Sequence, residues 1–111
     1  MTDQTPDAPL TVVEDLLALA PLPAQGLGHS TVLNSSNVRV IILSFTAGHV
    51  LGEHSEPYPL LMQALDGDLA VTSAGGLIQL RPGGLIRMDA RLLHSVEAIV
   101  DSRLMLTLIT N

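Results

Sequence analysis

Residues 48–67 read GHVLGEHSEPYPLLMQALDG, and the interpretation of this 111-residue chain turns on that passage. A polar knot of His54, Ser55 and Glu56 sits in its middle, two prolines bracket Tyr58, and the aliphatic run from Leu60 ends on Asp66-Gly67. Strand side chains alternate between faces, so His54 and Glu56 point the same way if the backbone is extended there. Leu60, Met62 and Ala64 share one face of the following run, and Gln63 falls on the other. A second passage, GGLIRMDARLLH at residues 83–94, ends in another isolated imidazole, His94.

Outward from these passages the punctuation is that of an all-β domain. Asn34 to Asn37, Gly48, Gly52, Pro57 to Pro59, Asp66-Gly67, Ala74 to Gly76, Pro82 to Gly84 and Asp101-Ser102 mark turns. Between them lie strand-length runs at 31–34, 38–45, 60–65, 68–73, 77–81, 85–88, 94–99 and 103–110. Asp66-Gly67 between two apolar runs is the strongest hairpin signal, because both turn positions tolerate positive φ. The last run, RLMLTLIT, has the character of a buried or interface strand. Short antiparallel strands at this spacing predict a sandwich or a double-sheet jelly roll, and periodicity alone does not choose between them. Ahead of this region, Thr11-Val12-Val13-Glu14 offers a capping box for a short helix over 12–19 that Pro21 ends, while the polar residues 1–9 are expected to be poorly ordered.

Composition narrows the classes of function. One domain is what a chain of this length holds, here residues 10–111. Nearly half of the residues are apolar, yet there is one Phe, one Tyr and no Trp, so the core must be aliphatic and stacking platforms for single-stranded nucleic acid are missing. A formal net charge of -6 opposes phosphate backbones and anionic membrane surfaces. The absence of cysteine removes disulfides, thiolate metal sites and a cysteine nucleophile, and no serine lies in a nucleophile motif. The start, MTDQTPDAPL, is acidic where a secretion signal needs positive charge, so a cytoplasmic protein with neither nucleic-acid nor membrane partners is expected.

The two passages together resemble the paired motifs of the cupin superfamily: Gly, five residues, His-x-His, three or four residues, Glu, six residues, Gly; then Gly, five residues, Pro-x-Gly, two residues, His. The likeness covers residues 38–110. It implies a cupin-type double-stranded β-helix, or jelly-roll barrel, that commonly pairs as a homodimer. It also implies a divalent metal such as Fe, Mn, Ni or Zn, with His54 and His94 at ligand positions and Glu56 in the place of the second histidine. Leu60 stands where the motif glutamate would be, and Asp89, Arg91 and Ala98 replace the Pro, the Gly and a frequent Asn of the second motif.

Two imidazoles and one carboxylate on one side of a cation would leave positions open for a small organic ligand. Leu60 and Met62 would form an apolar floor for that cavity. Arg91 would stand at its rim, in a surface ion pair with Asp89 or orienting an anionic ligand. Tyr58 is either a lid or a turn residue, and His29 and His49 are expected at the surface or at strand ends. Two classes of function stay open: a metal-dependent enzyme of oxygenase or isomerase type, and a non-catalytic binding or sensing module, with or without a metal. The motifs name no substrate.

Overall fold

Among the described residues, 8–111 of the computed structural model, the chain forms nine strands. They are β1 (Leu27–Asn34), β2 (Val38–Phe45), β3 (Val50–His54), β4 (Leu60–Asp66), β5 (Leu69–Ser73), β6 (Gly76–Leu80), β7 (Ile86–Met88), β8 (His94–Ala98) and β9 (Ser102–Ile109). The expected disorder of residues 1–9 falls, for 1–7, outside the described residues.

Two antiparallel sheets face each other, one ordered β1-β2-β9-β4-β7 and the other β3-β8-β5-β6. Only β1–β2 and β5–β6 are consecutive strands paired within a sheet; every other connection carries the chain across to the opposite one. The inner faces follow the period of two. Leu104, Leu106 and Leu108 of β9 alternate inward beside Leu60, Met62 and Ala64 of β4, and they meet Leu69, Val71, Val96 and Ala98 of the second sheet. Phe45, the single phenylalanine, is fully buried in this otherwise aliphatic core.

Asp66-Gly67 is not a hairpin turn. It is the corner at which the chain leaves β4 in one sheet and enters β5 in the other. Gly67 has φ 84° and lies against the start of β9, where an added Cβ would stand 2.5 Å from the Ser102 Cβ and 2.6 Å from the Asp101 carbonyl oxygen. Buried Ser102 holds the corner from beneath, its Oγ accepting from the Asp68 N–H at 2.9 Å and donating to the Val100 carbonyl at 2.7 Å. Beside it Arg103 pairs with Asp66.

The helix expected over 12–19 is replaced by a single 3-10 turn, Leu17–Leu19, with the Ala18 N–H on Asp15 Oδ1 at 3.3 Å. Eight residues are too few for a helix to persist without packing. The segment instead lies on the outer face of the first sheet, where Thr11, Val13 and Leu16 border Val32, Leu33, Val40 and Met105. The buried Ala20 fastens it, since its carbonyl accepts from Ser44 Oγ at 3.1 Å and from Arg103 Nε at 2.7 Å. No helix among the described residues is long and apolar enough to cross a membrane.

In the turn between β7 and β8, Arg91 takes φ 65°, the left-handed conformation that a glycine adopts without strain, and its N–H donates to the Glu56 carbonyl at 2.6 Å. Arg91→Gly is therefore expected to stabilise the protein by about 0.5–1 kcal/mol, the relief of left-handed strain less the added chain entropy. Gly67→Ala is expected to lose about 2–4 kcal/mol, through the same strain plus overpacking against Ser102. Urea unfolding of both variants checks the opposite signs.

Candidate functional site

The two histidines of the motifs meet because β3 and β8 pair antiparallel, with His54 directly opposite His94 after a register shift between Leu51 and His54. Their ring centroids are 4.3 Å apart and the planes are inclined by 59°. His94 is 2% exposed and also lies opposite Ser73 of β5. The Ser73 hydroxyl donates to the Leu93 carbonyl at 2.8 Å, tying down the turn that leads into His94.

Each ring is held through Nδ1 by a carbonyl two residues upstream, His54 on Gly52 and His94 on Leu92, both at 2.9 Å. A carbonyl only accepts, so Nδ1 carries the proton in each, and Nε2 of the neutral ring presents a lone pair. At His94 this Nε2 is buried and has no hydrogen-bond partner. Burial pushes the His94 pKa below its ordinary value and the neighbouring His54 adds to the effect. The hydrogen bond to Leu92 and the carboxylate of Glu56 pull the other way without cancelling it. The buried ring is thus an unprotonated base with an unused acceptor.

A cavity of about 200 Å³ lies alongside the pair. Leu27 and His29 of β1, Leu51 and His54 of β3, Ile41 and Leu43 of β2, Leu106 of β9 and Glu56 line it. β1 and β3 are edge strands of different sheets and do not pair with each other, so the cavity lies where the sandwich is left open between them.

The structure brings His54 and His94 together and sets Glu56 on the wall that His54 shares. It does not close the three into a metal centre: among the described residues no group of three or more His, Cys, Asp or Glu side chains is placed to hold a metal ion. The reason lies in the backbone. β3 ends at His54, so the alternation that would align Glu56 with it stops before Glu56 is reached. Two imidazoles with anchored Nδ1 atoms match the way histidine ligates metals, but the donor set falls one short.

Leu60 and Met62 face inward as their alternation requires, but as packed core, 2% and 1% exposed, and the cavity wall is built from other strands. Arg91 is a correction as well. Its left-handed turn leaves it exposed beside Glu53, Ser73, Leu92 and Leu93 in a separate surface depression, and Asp89 pairs with Arg87 instead, at 2.9 Å. Tyr58 is half-buried against the core. His49 sits in the turn after β2, with its ring 6.1 Å from that of Phe45.

His29 is the lining residue that sequence reasoning missed. Reading β1 from residue 31 left it out, whereas β1 begins at Leu27 and pairs His29 with inward-facing Leu43. The alternation Leu27, His29, Thr31 was the available signal.

The sequence matches no protein-family model and no curated protein. Solved structures do match. A cupin superfamily protein from Desulfitobacterium hafniense superposes with a TM-score of 0.80 at 17% identity, over 93% of this chain and 94% of the other. An RmlC-like cupin from Desulfovibrio desulfuricans gives 0.81 at 22% identity, over 91% and 98%. A salicylate 1,2-dioxygenase mutant from Pseudoaminobacter salicylatoxidans gives 0.71 at 18% identity, with 78% of this chain covering 28% of that one. Strand order, the His54–His94 pairing and these likenesses lead to one conclusion: the chain has the cupin fold, in its small single-domain form.

Proposed function

We propose that this protein is a binding module that holds a small organic molecule in the cavity between β1 and β3, against the His54–His94 pair. The observation that carries the reading is the cavity itself, lined by His54, whose ring packs 4.3 Å from that of His94, a buried imidazole with an unpartnered Nε2. Leaving such an atom unpaired costs about 1–3 kcal/mol, which only a donor brought to that same nitrogen recovers; at His54 a ligand donor would make a hydrogen bond of its own. The aliphatic wall of Leu27, Ile41, Leu43, Leu51 and Leu106 supplies non-directional affinity. A barrel that binds without turnover is the reading favoured here, because no nucleophile adjoins the cavity and the donor set lacks a third metal ligand.

The same pair supports a second reading, in which a divalent cation takes both imidazoles as ligands with Glu56 as the third. Bound there, it would supply Lewis acidity to a ligand oxygen. Equilibration with Zn(II) or Ni(II) followed by desalting separates the two. Retention well below one equivalent is expected; a full equivalent that disappears in His54→Ala would replace the first reading with the second. In a thermal-stability screen of small organic compounds, stabilisation is expected to vanish in His54→Leu and the stabilising compound to be recovered unchanged. A compound that stabilises His54→Leu equally well binds elsewhere, and conversion of the compound would make the protein an enzyme.

The lowered His94 pKa fixes a pH dependence. The unfolded chain binds the proton more tightly than the folded one, so the His94 contribution is complete above the ordinary value of 6.5 and declines as pH falls below it. The thermal midpoint of the wild type should drop on mild acidification more than that of His94→Gln, measured in parallel across that range. Equal slopes would mean that the buried ring does not resist protonation.

A further inference from the structure

We propose that the ligand of this cavity is a small apolar molecule that carries a hydrogen-bond donor and no negative charge, a hydroxyl on a single ring being the simplest form. This inference rests on the binding function proposed above and names its ligand class.

Size sets the first limit. A cavity of about 200 Å³ falls below the usual range for drug-sized ligands, about 300–1,000 Å³, and a little above an apolar cavity of about 150 Å³ that admits benzene. The cavity is open on one side, so about six to ten non-hydrogen atoms is the part of a ligand that it takes in. Wall chemistry sets the second. The body of the ligand meets Leu and Ile side chains, and the only flat rings among the lining residues are the imidazoles of His29 and His54.

The polar end decides the class. Nδ1 of His54 is spent on the Gly52 carbonyl, which leaves its Nε2 lone pair for a ligand, whereas His94 touches His54 but does not itself line the cavity. The remaining polar groups of the lining are the Glu56 carboxylate and the exposed His29. No Lys, Arg, Ser, Thr, Asn or Gln side chain lines the cavity. The Glu56 carboxylate and the His54 Nε2 are acceptors and recognise a donor, and exposed His29 is the one lining side chain that keeps an N–H. An anion would meet the Glu56 carboxylate and the His54 lone pair with no Lys or Arg to receive it, and Arg91, the cation the motif suggested, faces a different depression. An acceptor-only ligand would find no donor at His54 or Glu56.

Four probes of nearly one shape test this: toluene, phenol, benzylamine and benzoate, titrated by calorimetry against the wild-type protein. Phenol is expected to bind at least about tenfold more tightly than toluene, the equivalent of one hydrogen bond of about 1.4 kcal/mol, and benzoate more weakly than either. Benzylamine binding as tightly as phenol supports the same class with a cationic donor. Histidine ¹⁵N spectra give a readout that needs no variant: phenol is expected to shift the Nε2 resonance of His54 or His94 and leave the Nδ1 resonances in place. Toluene binding as tightly as phenol, benzoate binding more tightly, or phenol binding with unmoved Nε2 resonances would each overturn the donor class while leaving the cavity a binding site. If none of the four binds to folded protein, the binding function itself falls along with the class.

Discussion

The site depends on one strand pairing, that of β3 with β8. β3 is a short edge strand with little buried surface of its own, and the ladder to β8 is what holds it on the sandwich. The register shift between Leu51 and His54 sets the His54 ring opposite His94. A slip of one residue would send His54 to the other face and leave His94 without its neighbour. The backbone contact between the Arg91 N–H and the Glu56 carbonyl, together with the Ser73 hydroxyl on Leu93, ties the loops at the same end.

That pairing creates an unusual electrostatic neighbourhood for an acidic protein. Two imidazoles in contact, one of them out of water, cannot both carry charge cheaply, and burial keeps the inner ring neutral. Neutrality with Nδ1 anchored turns the ring into an acceptor. The cavity beside it is apolar on most of its wall, with His29, His54 and Glu56 as its polar lining. Glu56 adds negative potential beside the rings without completing a three-residue metal group among the described residues.

Much of this was legible from the residues, and the rest failed for identifiable physical reasons. The alternation in β4, β5, β8 and β9 marked those strands, since one face of each enters the core, and β2 showed as an apolar run that is buried on both faces from Ile41 to Phe45. β3 was invisible: VLGEH lies at an edge, carries a glycine and is mostly exposed, so it shows no period of two. Asp66-Gly67 signalled a turn correctly, but local turn chemistry says nothing about which sheet receives the next strand, and packing on Ser102 decided that. The juxtaposition of His54 and His94 followed from the cupin motifs. The position of Glu56 did not, because its parity assumed a strand that ends two residues earlier. Arg91 was assigned by proximity to His94, yet its left-handed backbone turns it away.

The place of β9 has a consequence for how the domain comes into being. It is the last strand in chain order, yet it joins β1–β2 to β4–β7 in the first sheet. Until residues 102–109 have left the ribosome, β2 and β4 each present an unpaired aliphatic border, and neither half can zip onto the other. Synthesis must then run ahead of assembly, and a nascent chain stalled before Ser102 displays two adhesive strand borders to whatever chaperone or sister chain it meets.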